Sequence, residues 1–354
     1  MVELLAPAGS REALVAAVEN GANAIYLAGN AFGARAYASN FDREALREAI
    51  HFAHLRHVAI HVTVNTIVAD EEMGPLRDYL RFLYEAGADA VLVQDLGVAR
   101  VAHETVPDLP LHASTQMSVS SLEGVRALAE LGFTRVVLAR ELSLKEIRHI
   151  CAHAPVEIET FMHGALCVCY SGQCLMSSMI GGRSGNRGRC AQPCRLPYTL
   201  VDEKGQDVLG DKAGSYLLSP RDLSTIDVIP DLIEAGVSSL KIEGRMKRPE
   251  YVATVVRTYC EAIDTYYAGK GYAVTQEERD DLAQIFNRDF TTAYLEGRPG
   301  KAMMSDRRPN NRGLLIGRVT AYDWDARIVT VKLSGRLGLG DQVDFWVKVG
   351  GRVT

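Results

Sequence analysis

The chain has 354 residues, 47% of them hydrophobic and 23% charged, a composition that builds a folded core and excludes a disordered or fibrous protein. A net charge of -5 excludes a global nucleic-acid footprint, so any RNA contact must use a local basic patch. The start lacks the basic and apolar segments of a signal peptide, and no apolar run approaches the roughly 18 residues of a membrane span, so a cytoplasmic protein without membrane contact is expected.

The elements then come in a repeating order. An apolar strand at 3–7 precedes a helix at 11–20 that Ser10 caps. The same unit recurs with strands at 24–29, 58–66, 90–95, 111–117, 135–140 and 157–162, separated by helices at 43–55, 73–86, 98–105, 122–131 and 144–152. An eighth strand at 238–243 lies between a short helix at 231–235 and a long one at 249–269. Eight strands alternating with helices predict an α/β protein of the (β/α)8 TIM-type barrel class, with a doubly wound open sheet as the rival. One helix-Gly-strand joint repeats around Gly87, Gly132 and Gly236, as a barrel requires, although an open sheet allows it too.

The segment 163–237, after strand seven, is much longer than an ordinary βα loop and is expected to lie over the C-terminal face, where barrel enzymes keep their active sites. It includes a hairpin turning at 203–205. The barrel is therefore placed at 1–296, with a polar helix at 276–286, followed by a linker at 297–313 rich in Arg, Asn, Pro and Gly. A small all-β piece at 314–354 has strands at 315–322, 327–333 and 342–349 and reads as an accessory domain cut short.

Five of the seven cysteines lie between 167 and 194. In a reducing compartment such clustering points to a metal or to redox chemistry rather than to disulfides. Cys167, Cys174, Cys190 and Cys194, with six, fifteen and three residues between them, offer four soft thiolates from one loop, suited to tetrahedral zinc or to a 4Fe-4S cluster. Spacing does not choose between the two. Cys169 is a substitute ligand, whereas Cys151 and Cys260 fall among apolar helix neighbours and read as core.

His163 is a ligand, an acid/base group or a backbone-bonded structural imidazole. Glu159, Asn65, Asp95, Gln116, Arg140 and Glu141 mark strand C-terminal ends and together describe a polar, charged mouth. Lys241 and Glu243 alternate on a strand buried on both faces, so both are expected to point into the barrel as a pair. Arg245, Lys247 and Arg248 follow at the rim, where they suit phosphate or carboxylate. Arg183, Arg187, Arg189 and Arg195, and later Arg307, Arg308 and Arg312, supply basic patches for RNA or a small anionic substrate.

The run Glu159-x-Phe161-x-x-Gly164-Ala165-Leu166-Cys167-x4-Gly172-x-Cys174-x-Met176-Ser177 resembles the signature of the peptidase U32, or collagenase-like, family at every specified position. The resemblance continues through Pro7-Ala-Gly, the Arg183 to Gly188 segment, the Cys190 to Arg195 segment and the Lys241 to Arg245 segment, covering about residues 1 to 320. Although the family is named for collagenase activity, the resemblance implies oxygen-independent hydroxylation, of a tRNA wobble uridine, a 23S rRNA cytidine or a ubiquinone precursor. It also implies a cysteine-held 4Fe-4S cluster, with prephenate as hydroxyl source for the RNA enzymes. Carried over by motif, Cys167, Cys174 and Cys190 hold the cluster with Cys194 as fourth ligand. The segments around 181–195 and 312–318 look most like the RNA-modifying branches, which makes an RNA base hydroxylase the expected function, with Glu159, His163, Lys241, Glu243 and Arg245 lining the substrate pocket. The competing expectations are a U32-type peptidase, which lacks a His-Glu-x-x-His or Gly-x-Ser-x-Gly motif here, and an RNA-binding scaffold with a structural zinc.

Overall fold

The structure is a computed structural model that describes every residue except Ala36, Lys270, Arg307, 348–350 and Thr354. Eight parallel strands close on themselves: β1 (Glu3–Pro7), β2 (Ala24–Leu27), β3 (Ala59–Val64), β4 (Ala90–Val93), β5 (Leu111–Ala113), β6 (Phe133–Val137), β7 (Glu157–Ala165) and, after the short β8 (Asp222–Ser224), β9 (Ser239–Ile242). Closure is decided by β9, which pairs in parallel with both β7 and β1. An open doubly wound sheet has two free edges, so this pairing establishes the (β/α)8 barrel.

Of the helices α1 (Arg11–Glu19), α2 (Arg43–His54), α3 (Met73–Glu85), α4 (Leu96–Thr105), α5 (Leu122–Glu130) and α6 (Leu144–His153), all but α3 start where short polar side chains satisfy free amides. Ser10, Asp42, Asp95 and Ser121 each cap this way, and Ser143 forms a reciprocal box with Glu146. Three helix-to-strand joints turn on Gly87, Gly132 and Gly236, at φ of 87°, 87° and 89°, backbone that an L side chain adopts only with strain. The repeated joint read from the sequence thus has one conformational cause.

Strand side chains divide into two cores. Ile25, Ile60, Val62, Val91, Val93 and Leu240 face the helices, whereas Leu5, Tyr26, Leu92, Val137 and Phe161 fill the barrel.

The long insertion leaves β7, forms α7 (Met176–Gly181) and a small hairpin bridged at Val201 and Asp207, and returns as β8. There β8 lies antiparallel on the extended end of β7, with Ala165 opposite Asp222. The chain continues through α8 (Ile229–Glu234), β9, α9 (Pro249–Tyr267) and α10 (Gln276–Ile285) to β10 (Phe290–Thr291), which pairs with β8. Residues after β10 run back along the insertion, bridging Met304 to Pro220. Two antiparallel hairpins follow, β11 (Gly317–Asp323) with β12 (Ile328–Leu333) and β13 (Phe345–Val347) with β14 (Gly351–Val353). The predicted strand at 342–349 is therefore shorter, and its last two positions lie outside the described residues.

Candidate active site

Two charged layers occupy the barrel. In the lower one, Lys241 Nζ lies 2.7 Å from Glu159 Oε1, with the two side chains 4% and 0% exposed. Arg135 reaches Glu159 at 3.3 Å, Glu157 at 2.7 Å and Glu3 at 3.2 Å. Burial alone would raise the Glu159 pKa, but Lys241 and Arg135 outweigh it and hold the carboxyl below its ordinary value. Lys241 also sits 4.4 Å above the Tyr26 ring. His61 and His112 meet edge to face at 4.8 Å beside this layer, their pKa values pushed down by burial.

The upper layer forms the mouth. Arg35, from the loop between β2 and α2, reaches Glu243 at 3.3 Å. Burial opposes ionisation of Glu243, yet Arg35, Arg140 and Arg245 together lower its pKa. Arg245 is 4% exposed, and among the described residues its side chain makes one hydrogen bond, a 3.3 Å contact from Nη1 to Thr63 Oγ1. Burial and then Arg35 bring the Arg245 pKa down to about 10. Gly9 is required beneath it, because a Cβ there would lie 1.8 Å from the Arg245 carbonyl oxygen. Lys241 and Glu243 thus share a face as expected but take separate partners, in separate layers.

Beside the mouth, Arg288 binds Asp222 at 2.6 Å, both buried. Lys247 projects toward that pair with its Nζ 2.7 Å from the Phe286 ring centroid, and burial depresses its pKa to about 7 against the pull of Asp222. Arg35, Asp222 and Arg288 were not singled out from sequence. The unusual length of the loop after β2 could have flagged Arg35. Asp222 and Arg288, 66 residues apart, leave no local signal.

The cysteine loop seats on the strand ends. Gly172, at φ 77°, packs where a Cβ would lie 2.1 Å from the Gln116 carbonyl oxygen. Glu141 accepts from the Ser171 amide at 3.1 Å. Arg140 donates to the Ala165 carbonyl at 3.0 Å and to Cys167 Sγ at 3.6 Å. Asn65 receives the Ala34 amide, and Asp95 caps α4 while also accepting from Val68. These strand-end polar residues therefore hold the loops that build the mouth.

All seven cysteines are free. Burial raises the Cys194 pKa; Arg195 opposes this, and Cys167, Cys190 and Cys174 add to it, which puts the Cys194 sulfur within electrostatic reach of those three. Burial and then Cys174 raise the Cys169 pKa, and the Gln192 amide donates to Cys190 Sγ at 3.3 Å. Among the described residues no three such side chains close into a ready coordination sphere. The donor set nevertheless fits a four-thiolate group: all donors are soft, none is locked in a disulfide, and Arg140 is in contact to offset thiolate charge.

His163 is not in the mouth. A bulge between Phe161 and His163 puts Met162 and His163 on the same outer side of β7. The imidazole Nδ1 lies 3.2 Å from Tyr259 Oη on α9, and the ring contacts Phe290 at 5.5 Å between centroids. This corrects its placement as a pocket residue. Its pKa is pushed down to about 3, by burial first and Lys247 second. The unfolded chain binds that proton near the ordinary value of 6.5, so His163 stabilises the fold above pH 6.5 and loses that contribution as pH falls toward 3. Urea unfolding of His163→Gln should therefore show a shallower loss of stability below pH 6.5 than wild type; an unchanged slope would mean that the imidazole titrates freely in the folded chain.

Most of the predicted basic-patch arginines are held by internal partners. Arg187 is bound to Glu72 at 2.6 Å, and Arg195 to Ser219 Oγ at 2.7 Å and the Leu166 carbonyl at 3.0 Å. Arg312 binds Asp289, Arg308 stacks on Trp346, and Arg307 lies outside the described residues. Arg183 and Arg189 remain exposed.

A closed barrel whose mouth is cationic and roofed by a thiol-rich insertion defines the architectural class. The chain belongs to peptidase family U32, whose profile matches residues 9–305. It is 39% identical over 350 residues to the tRNA hydroxylation protein P1 of Bacillus subtilis (strain 168), covering 97% of this chain and 83% of that protein. It is also 39% identical over 365 residues to the 23S rRNA 5-hydroxycytidine C2501 synthase of Escherichia coli (strain K12), covering 98% of this chain but 53% of that protein. A protein named collagenase from Porphyromonas gingivalis (strain ATCC BAA-308 / W83) is 37% identical over 313 residues, covering 83% of this chain and 73% of its own length. This chain thus spans about half of one of these relatives.

Proposed function

We propose that this protein is an RNA-modifying enzyme that hydroxylates a base of tRNA or 23S rRNA at the barrel mouth. The observation that carries the reading is the convergence of free thiols with Arg35, Arg140 and Arg245 over that mouth, in a chain similar along its length to two proteins named for RNA hydroxylation. Cys167, Cys174, Cys190 and Cys194 would hold a 4Fe-4S cluster, with Cys169 beside Cys174 as the alternative donor and zinc as the alternative metal. Bound there, the cluster would supply electron transfer or a Lewis-acidic iron next to substrate.

The chain's own residues bind and orient. Arg245 offers a desolvated guanidinium fork suited to a carboxylate or phosphate, which fits a small anionic co-substrate such as prephenate. Arg35 and Arg140 hold Glu243 ionised at the same mouth. Near pH 7, Lys247 can hold or release a proton. No helix of the described residues is long and apolar enough to cross a membrane, which is compatible with action on RNA in the cytoplasm.

A cysteine-peptidase reading needs a thiolate with an imidazole beside it. Cys167 instead contacts Arg140, while His163 faces α9. Mass spectrometry of tRNA and 23S rRNA nucleosides from a deletion strain, with and without the complementing chain, tests the proposal. A hydroxylated nucleoside that disappears and returns is the expected result; unchanged nucleosides in both RNAs would overturn it.

A further inference from the structure

Residues 28–35 cross the barrel mouth and are fastened from several sides. Ala34 N donates to Asn65 Oδ1 at 3.0 Å, Thr66 Oγ1 donates to the Phe32 carbonyl at 3.0 Å, and Arg35 binds Glu243. Within nine residues three non-glycine residues take positive φ: Phe32 at 60°, Arg35 at 116° and Asn40 at 49°. Bulky side chains seldom adopt such backbone unless the surroundings impose it, and such strain gathers at functional loops. The tethered loop nevertheless presents an aromatic ring to solvent, for Tyr37 is 56% exposed.

A second segment comes to meet it. Residues 183–189 of the insertion dock against 33–35 through Gly188, at φ 74°, where a Cβ would lie 2.8 Å from the Gly33 carbonyl oxygen. The Asn186 carbonyl accepts from Ile67 N, and Arg187 is spent on Glu72. This docking sets the Arg183 guanidinium 4.8 Å from the Tyr37 ring centroid, with Arg183 Nε bonded to the Arg189 carbonyl. The Arg189 side chain is exposed and has no partner among the described residues.

We infer that Tyr37 and Arg183 form a stacking platform for an unpaired nucleotide at the lip of the barrel mouth, with Arg189 meeting the adjoining phosphate. The substrate form this implies is single-stranded or looped RNA rather than duplex. A solvent-facing ring already paired with a guanidinium offers the flat, cationic surface on which splayed bases stack, and in a duplex those base faces are covered. A base that reacts inside a barrel must also leave its own stack, so holding a neighbour outside the mouth keeps the strand open. The inference rests on the RNA reading proposed above.

Fluorescence anisotropy with one labelled RNA hairpin loop and a fully paired duplex of the same sequence tests it, using the full chain. Wild type should bind the loop RNA more tightly than the duplex. Tyr37→Ala should weaken loop binding by about 10- to 100-fold, the usual cost of losing one base-aromatic stack, while leaving the weaker duplex binding unchanged. Tyr37→Trp should restore it, which a merely structural tyrosine would not allow. Circular dichroism melting of each variant separates these effects from unfolding. Loop binding that is retained in a folded Tyr37→Ala overturns the platform and leaves the RNA reading standing. No binding of either RNA by wild type overturns both.

Discussion

Lys241→Met should destabilise the protein by about 3–5 kcal/mol, the usual consequence of leaving one partner of a buried ion pair uncompensated. Glu159 is fully buried and bonded to Lys241 at 2.7 Å, and its second contact, to Arg135, is longer at 3.3 Å and shared with Glu3 and Glu157. Arg135 alone therefore offsets only part of the desolvation of the carboxylate. Glu159→Gln should cost a similar amount by leaving the Lys241 ammonium with little besides the Tyr26 and Phe161 rings. The double variant Glu159→Gln/Lys241→Met removes both charges and should recover more than half of either loss. Acid provides a sign test. The Glu159 pKa is lowered on folding, so in wild type its contribution is present above the ordinary carboxyl value and disappears as pH falls through the folded one. Without Lys241 burial gains weight, and the acid-side loss should shrink. Urea titrations of wild type and the three variants from pH 7 to well below the ordinary carboxyl value of 4.5 measure this; single losses below about 1 kcal/mol would mean that the pair is not desolvated. A double variant that regains stability but not hydroxylation would give the pair a role toward substrate beyond holding the barrel.

Period-two alternation turns Lys241 and Glu243 inward. It says nothing of partners, because those are set across the barrel by stagger: β9 registers Lys241 beside Phe161, so its ammonium reaches back to Glu159. His163 failed for a local reason, since one bulge reverses a side chain and nothing in the composition of 157–165 announces it. The barrel itself was readable because most of its joints are written locally, in a capping serine or aspartate or a left-handed glycine. By contrast β8 and β10 have three and two residues and exist only because they pair with each other and with β7. The cysteines were conspicuous by density, but which arginines would be free was not. That depended on acceptors far along the chain, such as Glu72 for Arg187 and the Leu166 carbonyl for Arg195.

Cys174→Ala should lose both the cluster and RNA hydroxylation. Cys174 is one of the three thiols that act electrostatically on Cys194, so its removal leaves a four-thiolate group one donor short. Protein purified without oxygen should carry about four irons and four acid-labile sulfides per chain in the wild type, and close to none in this variant. Cys169→Ala should keep both iron and activity, which separates ligand loss from general damage to the loop. The barrel should be unaffected, because the loop contributes few residues to either core: its Leu166 lies at the edge of the inner one, and Cys174 belongs to neither. Unchanged far-ultraviolet circular dichroism and a similar melting temperature for the metal-free proteins would verify that. A Cys174→Ala protein that lacks iron yet hydroxylates RNA at the wild-type rate would sink the cluster mechanism. One zinc and no sulfide in anaerobically purified wild type would instead make the thiols a structural clasp, and the chemistry would then have to come from the charged mouth of Arg35, Glu243, Arg245 and Lys247 alone.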